Sequence, residues 1–394
     1  MKTAISNIVL FLVNPFIGCL SSIANLKKNI REKDKRLLFI IISLFFALIA
    51  FTQTTEQGDV NRTYKGIESE ESLFKSDYLV FLLLSKHPLG DTINELIYII
   101  TRDVRFVSFF WIFLLFLFTF LAINNLCKYE KTPIIKKNLP FIIILTITCF
   151  INFAQVCELV KQGVVTAMVF YAYTCFLLGD KKRAFIVYFI SIGIHFSVLF
   201  FLPLFLVNYI STNKLLIITI ISFLFQTFNL MEFVAELMSR IPGIGTLFLL
   251  GHLSESAQSF SEGVENFFKS NSTFFIFIFT HFVLVVFSLV LFKKNEWVKA
   301  CLLMICILNL NYTNDHNYTR MLTMLFPFDI MACCQIMQMK QKVFSRLLML
   351  FLIVGTFVIN YTLFNARVNP EYGTAFLDGN YLNILYYPSF LYLK

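Results

Sequence analysis

Charge is scarce in this sequence. Asp, Glu, Lys and Arg make up 14% of its 394 residues, against roughly 25% in an average soluble domain. Hydrophobic residues reach 58% and aromatic ones 17%, and the mean hydropathy is +0.74. No water-soluble fold of this size hides that much apolar side chain, so disorder, a secreted disulfide scaffold and a soluble enzyme are excluded. Chemical motifs are missing too. There is no Walker A sequence, no G-x-G-x-x-G, no H-E-x-x-H, no G-x-S-x-G and no Asp-x-Asp pair, so nucleotide consumption and a metal-held nucleotide sugar are unsupported. The nine cysteines form no C-x-x-C pair and no histidine lies at metal spacing, so they read as small buried hydrophobes; no metal and no cofactor is expected.

What is present is a series of apolar blocks, at 5–24, 37–52, 104–123, 139–156, 163–178, 184–209, 215–230, 273–292, 298–311, 320–338 and 347–364. Runs of about 18 or more apolar residues read as membrane spans. The fold class is therefore all-α: one integral membrane domain over 1–394, with about 10–11 transmembrane helices. Phe16-Ile17-Gly18-Cys19 has the look of a lipoprotein signal. Phe in place of Leu three before the cysteine, and Lys2 as the sole preceding charge, favour a plain first span instead.

Two polar segments, 53–103 and 231–272, are long enough to be outer loops. The first contains short apolar stretches around Leu79–Leu84 and Ile93–Ile100, which suit interfacial or re-entrant helices. Segment 27–36 carries six basic residues and belongs in the cytoplasm under the positive-inside rule. If 184–209 crosses once, Lys293, Lys294, Lys299, Lys340, Lys342 and Arg346 fall outside, against that rule. If 184–209 enters and returns as two half-helices meeting near His195, inner linkers hold 20 of the 33 basic residues and only five acids. Both termini and both long loops are then outside. The net charge of +9 reports orientation rather than nucleic acid, which is not an expected partner.

The candidate chemistry lies on the outer side. Asp315-His316 precede Arg320 by about one helical turn, so a guanidinium able to grip an anion faces the same side as a potential base. A hydrated turn with a snorkelling Arg is the plain alternative. Glu158 and Lys161 share a tight turn, where a local ion pair is the simplest expectation. His195 sits in mid-block, where an imidazole is costly to expose to lipid and faces protein or water. Asp329 serves either a transport path or the break at Pro327. The first loop offers Asp59, Arg62 and Tyr64, and the second Arg240 and His252, all residue types that suit sugar or anion binding.

Order and spacing of these pieces resemble the EpsG-like and Wzy-type polysaccharide polymerases, including bacterial O-antigen polymerases. A basic linker and second span lead to Gly58, Asp59 and Tyr64. Lys161-Gln162-Gly163 then opens a span, Lys181-Lys182 follows it, and Ile194-His195-Phe196-Ser197 and Arg320-Met321-Leu322 come after. The family has Arg where this chain has Lys161, which keeps the charge but lacks the bidentate fork. Arg240 and Gly251 resemble an R-x10-G pattern of some such polymerases.

The resemblance implies a GT-C-like bundle in a bacterial inner membrane with its active site facing the periplasm. Its activity would be metal-independent glycosyl transfer that joins undecaprenyl-pyrophosphate-linked repeat units. Membrane lipids and a chain-length regulator protein are the partners it implies. Arg320 and Arg62, with Lys161, would hold pyrophosphate; Asp315, His316 or His195 would act as base; Asp59 would place the acceptor. A lipid-linked oligosaccharide flippase and an O-antigen ligase are the competing readings.

Overall fold

Helices supply nearly all regular structure in the computed structural model, which describes residues 2–27, 30–54, 58–69, 87–227, 296–310, 323–340, 342–367, 375–379 and 382–393. The first apolar run does not form the single span its length predicts. Helix α1 (Lys2–Val13) ends at Asn14, and α2 (Pro15–Asn25) doubles back on it. Pro15 disfavours helical backbone at the residue before it and itself suits a first helical position. The Asn14 side chain caps the new helix by accepting the Ile17 N–H at 3.1 Å. At the open end of the hairpin, Ser21 Oγ and Asn25 Nδ2 both donate to Asn7 Oδ1, at 2.7 and 3.2 Å. A Cβ on Gly18 would stand 2.5 Å from the Phe11 main chain, so glycine is what lets the legs touch. Each leg is under about 20 Å long, too short to cross about 30 Å of hydrocarbon. The start of α1 therefore turns back toward the end of α2 and does not lie a full span away from it.

Helix α3 (Glu32–Phe51) opens with Glu32 and Asp34 in its first turn, where carboxylates complement the helix dipole. Short α4 (Gly58–Ser69) and α5 (Pro88–Thr101) follow, then α6 (Arg105–Tyr129), α7 (Pro133–Lys137) and α8 (Leu139–Leu145). α5 holds the expected apolar stretch Ile93–Ile100 and leaves Leu96, Ile99 and Ile100 exposed. The stretch Leu79–Leu84 and the segment 231–272 lie outside the described residues.

Block 139–156 is broken rather than continuous. α8 runs into a π-turn at Thr146–Phe150, and the chain restarts as α9 (Phe153–Glu158). The break strands backbone groups that lipid cannot satisfy. Asn152 caps α9 by accepting the Gln155 N–H and donates to the Asn360 carbonyl at 3.0 Å, while Asn360 donates in return to the Cys149 carbonyl.

α10 (Val160–Leu177) and α6 are each long and apolar enough to cross a membrane. α6 packs between α3 and α10 through interlocked rings, with Phe46 stacked on Phe116 at 4.3 Å. α11 (Lys181–Ile194) stops where the sequence places a break: His195 is extended at φ −155°, and a 3-10 helix over Phe196–Phe205 runs back alongside α11. Tyr188 Oη donates to the Val198 carbonyl at 3.0 Å, and the Phe205 ring returns to 5.7 Å from Phe185. Ten residues at about 2 Å per residue retrace the length of α11.

Among the described residues the remaining α-helices are α12 (Thr212–Thr227), α13 (Glu296–Leu310), α14 (Phe326–Met337), α15 (Lys342–Arg367) and α16 (Asn383–Tyr386). Asp329 is buried in the first turn of α14, two residues after Pro327. One end of the bundle collects the basic linkers. There Glu32 meets Lys128 at 3.0 Å, Tyr129 donates to Glu296, Gln335 and Gln338 donate to Glu130, and Lys299 donates to the Asn208 carbonyl. At the other end Thr54 and Ala375 exchange main-chain hydrogen bonds at 2.9 Å.

Candidate active site

The end opposite the basic linkers gathers polar groups from α4, α5, α6, α9 and α10, from Gln53 just past α3 and from the break after α11. α5 begins with Pro88 at its first position and Asp91 in its first turn, and its N-terminus docks against the C-terminal end of α11. Gly90 makes that docking possible: a Cβ there would lie 2.6 Å from the Ile194 carbonyl oxygen and 3.1 Å from Lys161 Cδ. Trp111 Nε1 pins α5 to α6 by donating to Asn94 Oδ1 at 2.6 Å.

Around Gly90 stand four chemically active side chains. Lys161, in the first turn of α10, forms a 2.6 Å ion pair with Asp91, and neither is more than 28% exposed. Burial of that order strengthens the attraction relative to a surface pair. On the other flank, His87 and His195 stack with ring centroids 4.1 Å apart and an 18° tilt. The Ser197 N–H donates to His195 Nδ1 at 3.2 Å, with the Ser197 hydroxyl 2.8 Å from the same nitrogen, and the Phe196 N–H points to His87 Nδ1 at 3.4 Å. A main-chain N–H only donates, so both Nδ1 atoms carry lone pairs and both neutral rings bear their proton on Nε2. The pair caps the 3-10 helix and holds two N–H groups in a defined tautomer.

Carboxylates line the neighbouring ground. Glu158, the last residue of α9, is buried and accepts from Gln53 Nε2 at 3.2 Å. Glu158 and Lys161 thus do not form the local ion pair expected of their turn; each reaches a partner far away in sequence. α4 packs against both α9 and α5, with Tyr64 bonded to Ser108 at 2.5 Å. Burial pushes the Tyr64 hydroxyl up, well above the usual phenol range, so it stays protonated. Asp103 grips Arg105 at 2.7 Å. Burial works to raise that carboxyl, but the Arg105 hydrogen bonds outweigh it and leave it low.

Among the sequence candidates, Glu158, Lys161 and His195 converge in this region. Arg62 is exposed on α4 and Asp59 lies in the first turn of the same helix. Asp315, His316, Arg320, Arg240 and His252 lie outside the described residues. Sequence reading does not single out His87, Asp91 or Gln53. The first two carried a readable signal, since Pro at the first helical position followed by Asp in the first turn marks a helix start. Among the described residues no three His, Cys, Asp or Glu side chains converge as metal ligands.

Such a site presents N–H donors and a cation beside carboxylates, which suits anionic oxygen at one flank and a hydroxyl at the other. No curated protein and no solved structure matches the chain. The family model of EpsG matches it over residues 35–374, beginning in the first turn of α3. The chain belongs to the EpsG family, a Wzy-like family of polysaccharide polymerases.

Proposed function

We propose that this protein is an O-antigen polymerase that joins undecaprenyl-pyrophosphate-linked repeat units at the periplasmic face of a bacterial inner membrane. The observation that carries this reading is the convergence of Lys161–Asp91 with His87–His195 around Gly90, at the end of the bundle away from the basic linkers. Under the positive-inside rule that end faces the periplasm.

In the reaction, an acceptor sugar hydroxyl attacks the anomeric carbon of the growing glycan. The bond from that carbon to pyrophosphate breaks, and undecaprenyl pyrophosphate departs with the electron pair. The donor is already activated, so neither nucleotide nor metal enters the scheme. Lys161, with Arg62 and Arg320, stabilises the charge that develops on the leaving group. The tautomer of His195 favours Nε2–H donation to a pyrophosphate oxygen over proton abstraction. The base is therefore a carboxylate or His316: Asp315 and Asp91 are the carboxylate candidates, and Asp59, Glu158, Arg240 and His252 help to seat the sugars. A chain-length regulator protein is the expected partner.

The test is surface lipopolysaccharide from a strain lacking this gene, compared with the parent and with strains complemented by wild type or Lys161→Ala. Core carrying one repeat unit, with the ladder lost and not restored by Lys161→Ala at normal protein level, is expected. Core with no repeat would indicate a flippase, and accumulation of undecaprenyl-linked polymer a ligase. An unchanged ladder would overturn the O-antigen reading.

A further inference from the structure

At the opposite end of the bundle lies a cavity of about 400 Å³ that the polymerase reading does not use. Its walls are Arg36 of α3, Leu121, Asn124, Asn125 and Lys128 of α6, Tyr171 and Leu178 at the C-terminal end of α10, and Arg183 of α11. Among the described residues three cations and no acid line this space. Glu32 and Asp180 stand behind them: Glu32 holds Lys128 at 3.0 Å and Asp180 holds Arg183 at 3.3 Å. Lys35 stands close by, donating to Asn124 Oδ1 at 3.2 Å and sharing Glu32, also at 3.2 Å. Arg36, Lys128, Arg183 and Lys35 together outnumber the two carboxylates Glu32 and Asp180, and an anion entering a space of ligand size relieves that excess of positive charge.

The surroundings say what kind of anion. Arg183 begins a helical face that continues through Ile186 and Ile190, spaced three and seven residues on, and both are exposed. Phe189, 65% exposed, lies beside them on α11, and exposed Leu178 rims the cavity. An acyl chain laid along Ile186 and Ile190 puts its own head group at Arg183. A free inorganic anion would make no use of that apolar track.

We propose that this cavity seats the phosphate of an anionic phospholipid, with Arg36, Lys128 and Arg183 around the head group and an acyl chain along the exposed face of α11. Basic pockets between membrane helices on the cytoplasmic side are suited to such head groups. On the charge argument given above, this lipid belongs to the inner leaflet. The inference does not depend on which glycan the opposite end handles.

The experiment uses the full chain purified in detergent and delipidated, then offered phosphatidylglycerol, phosphatidylcholine or inorganic phosphate. Retained lipid is counted by native mass spectrometry and stability is followed by thermal unfolding. Retention of phosphatidylglycerol, with a raised unfolding temperature, is expected. Arg36→Gln/Arg183→Gln should lower retention by about tenfold for each guanidinium removed. Lys136→Gln/Lys137→Gln, which removes exposed charge from the same end without touching the cavity, should leave retention unchanged. Gel filtration of each variant reports on folding, and Arg183→Gln alone serves if the double variant aggregates. Equal retention of phosphatidylcholine, equal loss in the Lys136/Lys137 variant, or full stabilisation by inorganic phosphate alone would each overturn the proposal.

Discussion

His87 and His195 stack face to face at 4.1 Å, and the Nδ1 atoms of both are met by consecutive main-chain N–H groups at the start of one 3-10 helix. One contact thus does two jobs. It satisfies backbone donors where α11 breaks, which a low-dielectric setting requires, and it fixes which ring nitrogen carries the proton.

That tautomer makes the role of His195 testable. If its Nε2–H donates to pyrophosphate, His195→Ala should slow polymer formation from purified lipid-linked repeat units by about 10²–10³-fold, the usual effect of removing one oxyanion donor. His195→Gln, whose side-chain amide restores a donor near Nε2, should recover part of the rate. Equal loss in both variants would point to a base and refute the donor role.

The Lys161–Asp91 pair links α10 to the start of α5 across 70 positions of sequence. Partly buried as it is, it should contribute about 1–2 kcal/mol, between the values of exposed and buried pairs. Lys161→Met and Asp91→Asn should therefore be non-additive in a thermal-unfolding double-mutant cycle. Additive losses would show that the two do not interact in solution.

Gly90→Ala should be far worse than Gly66→Ala. The first places a methyl 2.6 Å from the Ile194 carbonyl, whereas the second meets nothing within 4 Å and lies inside a helix. Forcing that contact open costs on the order of 1–3 kcal/mol, and it moves Asp91 and His87 off their partners. Alanine at position 66 should be neutral or gain up to about 1 kcal/mol. Unfolding temperature and polymer length measured together distinguish the two.

Glu32 provides an acid-range prediction. Burial works to raise its carboxyl, but hydrogen bonds from Lys128, Asn124 and Lys35 outweigh it and bring the group from an ordinary 4.5 down to about 2. A depressed folded-state value stabilises the fold above the unfolded value, and that contribution disappears as pH falls through the window from 4.5 to 2. Wild type should lose stability over this window more steeply than Glu32→Gln, as followed by thermal unfolding in detergent.

Some of this architecture could be read directly. A helical span needs about 20 apolar residues in a row, a local property, so α6 and α10 are visible as runs. The break near His195 was legible because a polar ring amid apolar residues, with Pro203 beyond, conflicts with a straight span. The Asn14-Pro15 hinge was written just as locally, yet the length of block 5–24 hides it; capping and proline sterics decide over hydropathy there. Asn152 and Asn360 show the same thing in block 139–156, where a broken helix is held by a partner 208 residues away.

The sequence by itself determined a helical membrane protein with its basic linkers at one end, because hydropathy and charge act through composition and need no knowledge of neighbours. It also placed Glu158, Lys161 and His195 among the residues of interest. Only the tertiary structure decided that Lys161 faces Asp91 and not Glu158, that Glu158 faces Gln53, and that His87 lies on His195. Side chains at successive turns compete for partners, and the outcome depends on helix approach. Gly90 sets that approach for α5, and one missing Cβ has no signature until the Ile194 carbonyl is known to be opposite.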